Sequence, residues 1–411
     1  MREAADRFGT PAYVYDRPTL ERDAAAVVAA FPDPWIRLYA LKANGLPALL
    51  QGLPALGFGA SAVSSGELAL AGRAGFPVAS TALEGIGKTP ADLRRAVALA
   101  ADGTPLLWVS LESADEAAAL AEVVRTRGRG IRVDVLVRLN PQVRPETHRG
   151  LAVGAAESKF GVLPEELASV IEAGGGAEGP LRWRGIHIHV GSQLGAVDAW
   201  RSALRVGLRV LGLQRAALAD FDTLDAGSGF PVDLGEPDSV PSPELFAVAV
   251  QEELAALPAD ARPRRLAIEP GRVIVARSGW LLAHVLHVRD RERQLVVLDA
   301  GMTELIRPAL YDAEHPLVAL TSLGREVAEV PSPDSAVLVR VDGPICESTD
   351  RLGEARLPPL RRGDLVAIGV AGAYGSSMAS TYNGRPRPPE VAWDGTRLKV
   401  LRRRGSVSSL P

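Results

Sequence analysis

The sequence predicts an α/β chain in two parts, a (β/α)8 barrel followed by an all-β C-terminal domain. From about residue 36 to 270, short apolar runs closed by Gly, Ser or Asn alternate with Ala/Leu/Arg-rich stretches of helical period. That alternation is the pattern of βα units around a parallel sheet. The runs number eight, the count that closes a barrel. Beyond Arg272 the helical period disappears, and β-rich runs separated by Pro and Gly clusters take over. In chain order the expected barrel strands are 36–41, 57–63, 78–82, 106–111, 131–139, 185–190, 223–225 and 265–268. Helices are expected at 18–31, 91–99, 114–125, 164–172, 199–219 and 243–257, several of them opening with Pro or an acidic residue in the first turn. The C-terminal strands are expected at 280–288, 294–298, 317–321, 336–341 and 365–370. The expected division is a barrel over 17–272 and a β domain over 273–411, with residues 1–16 able to join the latter through the run 12–15.

Composition narrows function before any single residue does. With 411 residues, 47% hydrophobic and 23% charged, the chain exceeds one ordinary domain and can bury a large core. A formal net charge of -3 leaves no basic excess for a phosphate backbone or an anionic bilayer, which argues against nucleic acid and membrane as partners. The N-terminal stretch is charged without an apolar signal core, and no apolar run reaches bilayer length. The single cysteine, Cys346, forms no internal disulfide, in keeping with a reducing compartment. A cytoplasmic protein is expected.

Barrels carry their chemistry at the C-terminal ends of the strands, and four such ends stand out. Lys42 closes Ile36-Arg-Leu-Tyr-Ala-Leu-Lys42, where alternation puts it on the face of Ile36, Leu38 and Ala40. An amine on that apolar face becomes a nucleophile; for this strand alone, a snorkelling lysine is the plainer reading. His187-Ile-His189-Val-Gly-Ser192-Gln193 sets two histidines on one side of a strand that runs into an anion-binding turn. A metal needs further ligands at matching spacing, and the other histidines supply none, so no metal is expected. Asp225-Ala-Gly227-Ser228-Gly229-Phe-Pro is a glycine-rich turn that can bring amides to a phosphate. Glu269-Pro-Gly271-Arg272 sets an acid, a tight turn and an arginine together, suited to a positive ring nitrogen and a phosphate or to an ordinary salt-bridged loop.

Taken jointly, a lysine, two anion-binding turns, a stacking histidine and a carboxylate ask for a flat, phosphorylated, carbonyl-bearing cofactor. Pyridoxal 5'-phosphate is the one that a lysine holds. In the β domain, Arg307 could bind a substrate carboxylate, Glu347 a substrate ammonium, and Cys346 could deliver a proton. Each has a plainer alternative: surface charge for Arg307 and Glu347, buried filler for Cys346, a half-buried core ring for Tyr374.

The motifs Tyr39-Ala-Leu-Lys42-Ala-Asn44, Ser158-Lys-Phe-Gly161, His187-Ile-His189-Val-Gly-Ser-Gln193, Glu269-Pro-Gly-Arg272, Ile306-Arg-Pro-Ala-Leu-Tyr311, Cys346-Glu-Ser and Ala371-Gly-Ala-Tyr374-Gly, in this order along nearly the whole chain, resemble the diaminopimelate decarboxylases. That family has the alanine-racemase-like fold of pyridoxal-phosphate enzymes. The resemblance implies that Lys42 holds the cofactor as a Schiff base, His189 stacks on its ring and Glu269 pairs with the pyridine nitrogen. It implies that Ser192, Gly227, Ser228, Gly229, Gly271 and Tyr374 serve the cofactor, chiefly its phosphate. Arg272 would serve cofactor and substrate, with Arg307, Tyr311 and Glu347 on the substrate and Cys346 as proton donor. A homodimer with two shared active sites is implied, Cys346 and Glu347 reaching across. The expected reaction is decarboxylation of meso-diaminopimelate to L-lysine and CO2. Ornithine, lysine or a carrier-tethered acid are alternative substrates, and racemisation or non-catalytic cofactor carriage are alternative functions. Three departures stand out: Ser61 where aspartate is usual, no asparagines in Leu83-Glu-Gly-Ile-Gly-Lys88, and a 225–231 turn closer to ornithine decarboxylases.

Overall fold

A computed structural model describes residues 1–410 except 129, 156, 236–238, 291–292 and 328–335. The chain forms two compact units: Met1–Asp23, Leu234–Glu236 and Arg272–Pro411 make one, Ala24–Asp233 and Pro237–Gly271 the other.

The larger unit is a closed barrel of eight parallel strands. Numbering from β1 (Ala12–Asp16), which lies in the other unit, the staves are β2 (Ile36–Ala40), β3 (Phe58–Ala62), β4 (Thr81–Leu83), β5 (Trp108–Leu111), β6 (Val133–Leu139), β7 (Leu181–Ile188), β8 (Thr223–Asp225) and β9 (Arg265–Ile268). Leu38, Ala82, Trp108, Leu136 and Ala267, contributed by β2, β4, β5, β6 and β9, form a fully buried cluster, as expected for side chains filling a barrel. On the outside, the helix Asp198–Gln214 buries Trp200, Ala203, Leu204, Gly207, Leu208 and Leu211, the spacing of one helical face. Trp200, Phe230 and Phe246 pack with centroids 4.9 to 6.4 Å apart, and Phe31 stacks on Phe230 at 5.5 Å.

Caps set where the helices begin. The Thr89 side chain and Asp92 form a reciprocal capping box for Pro90–Ala101, and Ser113 accepts from the Glu116 amide. Three details depart from the sequence reading. Residues 78–80 form a 3-10 turn rather than the start of β4. Strand β7 begins four residues early, at Leu181, and a helix Ser65–Ala74 capped by Ser64 joins β3 to the next βα unit.

The smaller unit is mostly β. Its strands are β10 (Gly279–Asp290), β11 (Gln294–Leu298), β12 (Leu317–Ala319), β13 (Thr321–Ser322), β14 (Arg325–Glu326), β15 (Val337–Asp342), β16 (Arg351–Leu357), β17 (Leu365–Ile368), β18 (Glu390–Trp393) and β19 (Leu398–Arg402). One sheet runs β16-β15-β11-β10-β1-β18-β19, with β17 and β12 branching from β10. Strand β1 pairs antiparallel with β10 and parallel with β18, so the N-terminal run belongs to this sheet. Val14, Leu282, Leu365, Ala367 and Val391 form its core with Ala4 and Ala5. Among the described residues no helix is long and apolar enough to cross a membrane.

Candidate active site

The strand ends of the barrel converge on a set of buried charges. Parallel pairing brings His187 of β7 level with Asp225 of β8, and a bulge at Arg184 sets that register, because Trp183 faces Val135 while Gly185 faces Leu136. Only glycine fits at 185, where a Cβ would sit 1.8 Å from the Thr223 carbonyl oxygen. His187 is buried, with Nε2 3.1 Å from Glu269 Oε2 and Nδ1 3.1 Å from Glu84 Oε2. Both are ion-pair contacts off the ring's N–H axes, and the ring's hydrogen bond joins Nδ1 and Ser110 Oγ at 2.9 Å. Glu84 is fixed in turn, since its Oε1 accepts from the Trp108 indole N–H at 2.8 Å.

Charge in this cluster follows from burial and proximity. Burial alone would lower the His187 pKa, yet the Glu84 and Glu269 carboxylates raise it to about 10. Burial works against ionised Glu269 as well, and the His187 and Lys42 charges with the Ser61 hydroxyl outweigh it, holding the carboxyl well below its usual range. Asp225, by contrast, is pushed well up by burial and by Glu269, which favours its neutral form. Two carboxylates around one imidazolium leave an excess of negative charge. Glu269 Oε1 is buried with no hydrogen-bonding partner among the described residues.

Lys42 departs from its expected setting. Strand β2 ends at Ala40 and the chain turns through a 3-10 segment, Leu41–Ala43, so strand alternation does not extend to Lys42, and its side chain is exposed rather than held on an apolar face. Its charge nonetheless acts on Glu67, His189 and Glu269. The turn is braced: the Tyr39 phenol donates to the Asn44 carbonyl at 3.0 Å, and the Ala40 amide donates to the Pro270 carbonyl at 3.1 Å. Gly271 packs here, where a Cβ would lie 3.0 Å from that of Ala40.

His189 is half-buried, and burial with the charges of Lys42 and Arg138 lowers its pKa well below the usual value. Its neutral ring accepts from the Ser228 amide through Nδ1 at 3.4 Å. Gly227 adopts φ +61, and a Cβ there would meet the Ile188 carbonyl oxygen at 2.3 Å; at Gly229 the obstacle is the Gly191 carbonyl oxygen, at 2.6 Å. The Gly227 amide donates to Asp225 Oδ1 at 2.8 Å. Contrary to the simple picture of a glycine-rich anion cradle, the Gly227 and Ser228 N–H groups are already engaged, which leaves the Ser228 hydroxyl and the Gly229 amide for an anion. Ser192 is half-buried, and its carbonyl accepts from the Thr147 hydroxyl at 2.6 Å.

In the β unit, Arg272 and Arg307 are buried. The Arg272 guanidinium lies over the Tyr374 ring, 4.7 Å from its centroid, and Tyr374 itself adopts φ +58. Arg307 is 3.2 Å from His315 Nε2, and His315 Nδ1 lies 2.9 Å from the Gly369 carbonyl oxygen. Burial and the Arg272 charge lower the Arg307 pKa to about 10, while burial and Arg307 drop His315 to about 4. His315 is therefore a neutral acceptor. Tyr311 is close enough for its phenol to act on both guanidiniums. Cys346 and Glu347 sit exposed on a loop pinned by Asp350, which accepts from the Ile345 and Met302 amides at 2.6 Å. The buried-filler reading of Cys346 is thus incorrect. Glu347 accepts from the Tyr382 phenol at 2.7 Å.

Residues 17–276 match the pyridoxal-binding domain of the pyridoxal-dependent decarboxylases. Over 98% of its length the chain is 34% identical to the diaminopimelate decarboxylase of Aquifex aeolicus, covering 91% of that protein, and 37% identical to that of Deinococcus radiodurans, covering 95%. The chain belongs to the diaminopimelate decarboxylase family. A solved relative, the Helicobacter pylori diaminopimelate decarboxylase complexed with L-lysine, superimposes with a TM-score of 0.88 at 30% identity, over 99% of this chain and 97% of that one. Pyridoxal 5'-phosphate is the cofactor of this decarboxylase family, and the barrel fits it. The partnerless, buried Glu269 oxygen calls for a cationic N–H donor such as a protonated pyridine nitrogen, and the 227–229 turn has no room for side chains at either glycine.

Sequence reasoning missed Glu84, Ser110 and Arg138, and left His187 and Asp225 without roles. All lie on or just beyond barrel strands, so a rule of reading every polar residue near a C-terminal strand end would have found them.

Proposed function

We propose that the chain decarboxylates meso-diaminopimelate, releasing L-lysine and CO2. The partnerless oxygen of buried Glu269, within reach of the Lys42 charge, carries the cofactor part of this reading. The relatives' named activity and the buried Arg272 and Arg307 support the substrate. When bound, pyridoxal phosphate supplies the electron sink for the Cα–carboxylate bond. Lys42 anchors it through its amine, His189 lies against its ring, and Glu269 holds its ring nitrogen. Ser192, Ser228, Gly229 and Tyr374 bind the phosphate, and Gly227 and Gly271 leave the backbone room to approach. Arg272 and Arg307 bind a substrate carboxylate with Tyr311, and Glu347 takes the ammonium group. The exposed Cys346 thiol donates the proton that replaces CO2 at Cα.

The roles fall to a cofactor domain over 17–272 and a β domain over 273–411 that takes in residues 1–16. The working form is a homodimer in which Cys346 and Glu347 of each copy serve the other, and its compartment is the cytoplasm. The test is CO2 release from a panel of meso-diaminopimelate, lysine, ornithine and simpler amino acids, with product stereochemistry followed in parallel. The highest kcat/KM is expected for diaminopimelate. A preference for ornithine or lysine would replace the substrate, and inversion without CO2 would replace the reaction.

A further inference from the structure

We propose that His187 is a positioning residue: held between Glu84 and Glu269, it keeps the Glu269 carboxylate ionised and aimed at the ring nitrogen of the bound cofactor. The inference rests on the pyridoxal-phosphate reading of the barrel. The cluster is built from four staves: Glu84 follows β4, Trp108 and Ser110 lie on β5, His187 on β7, and Glu269 follows β9. The barrel's own hydrogen bonds hold the backbone at the two acids, Glu84 N–H to the Ala62 carbonyl at 2.7 Å and Glu269 N–H to the Gly227 carbonyl at 2.9 Å. His187 is 2% exposed, so solvent cannot stand in for either carboxylate.

Charge balance gives the geometry its consequence. A carboxyl buried beside two others binds a proton unless a cation is fixed next to it. Asp225 is already pushed that way, by burial first and then by Glu269. Without the imidazolium, Glu269 would lie buried with the Lys42 charge and the Ser61 hydroxyl alone to offset that burial, and would take up a proton too. A protonated Glu269 cannot accept a charge-assisted bond from a ring N–H. His187 therefore decides whether Glu269 can do its work, and Glu84, tied to Trp108, keeps His187 charged.

The donor atoms of Glu84, His187 and Glu269 lie within 4.8 Å of one another, a spacing that could also hold a metal ion. An imidazolium has protons on both ring nitrogens and no lone pair to offer a metal. The ring itself supplies the positive charge that an ion would bring.

The wild-type protein labelled with 15N-histidine, with cofactor and after its removal, gives the first readout: His187 should carry protons on both ring nitrogens at pH 8. His187→Gln should fold, gain an infrared band of a protonated carboxylic acid, and bind pyridoxal phosphate roughly tenfold or more weakly. Its kcat should fall with little change in KM. Glu84→Gln should weaken cofactor binding less, because Glu269 keeps its ionic partner. A merely structural histidine would lower stability without the new acid band. The proposal is overturned by a neutral wild-type ring at pH 8, by stoichiometric zinc binding through that ring, or by His187→Gln holding cofactor with wild-type affinity and no new band. If His187→Gln fails to fold, the wild-type label and Glu84→Gln still decide. Failure of the wild-type chain to bind pyridoxal phosphate at all would instead sink the cofactor reading.

Discussion

Replacing Glu269 with glutamine keeps the shape of the side chain and removes one charge from the barrel mouth. The Oε2–Nε2 separation of 3.1 Å corresponds to about 5 kcal/mol of attraction at an effective dielectric constant of about 20. That energy is worth about four powers of ten in the proton affinity of the ring. Titration of His187 should therefore fall from about 10 into the neutral range, with Glu84 left to hold the proton alone. The assay is a pH titration of the 15N-labelled imidazole in Glu269→Gln beside wild type. Turnover should drop by about two to three powers of ten, the usual cost of losing a preorganised electrostatic partner. If His187 in the variant keeps both ring protons up to pH 9, the ion pair does not control the ring and the reasoning is wrong.

Three further outcomes follow from neighbouring contacts. Glu112 is buried, pairs with Arg138 at 2.9 Å and accepts from the Gly161 amide at 3.1 Å; Glu112→Ala should cost about 3–5 kcal/mol by leaving that guanidinium buried and unpaired, read as a lower urea midpoint. The His187 pKa is raised from 6.5 to about 10, so its stabilising contribution is complete below pH 6.5 and lost as pH climbs towards 10; urea midpoints should decline across that window in wild type and flatten in His187→Gln. Arg307→Ala should raise KM for diaminopimelate by roughly ten- to hundredfold, the worth of one charge-assisted contact, and leave KM for an amino acid lacking the distal carboxylate nearly unchanged.

The barrel was legible because βα alternation survives in the apolar runs, and the ends of β2, β7, β8 and β9 announced themselves through Lys42, the paired histidines, the glycine turn and Glu269. What escaped has physical causes. The start of β7, Leu-Arg-Trp-Arg, looks too polar for a barrel stave, yet Arg182 and Arg184 turn outward to Asp134 and Asp220. Strand β16 was missed because its alternate residues face solvent. Exposure of Lys42 was not foreseen because the strand ends one residue earlier than expected, at Ala40, and the 3-10 turn that follows breaks the alternation along 36–42. Glu84 is marked in sequence only by its place just beyond a strand, since one acid before a glycine looks like any loop; its meaning comes from β5 and β7, which bring Trp108 and His187 to it.

The most direct measurement is borohydride fixation of the cofactor on the purified protein followed by peptide mass mapping. The chain has few lysines to choose among, Lys42, Lys88, Lys159 and Lys399. The added mass should fall on the peptide bearing Lys42, and the visible absorbance of the bound cofactor should vanish in Lys42→Ala. Cofactor fixed to another lysine, or an unchanged spectrum in that variant, would contradict the assignment of the barrel mouth as the cofactor site.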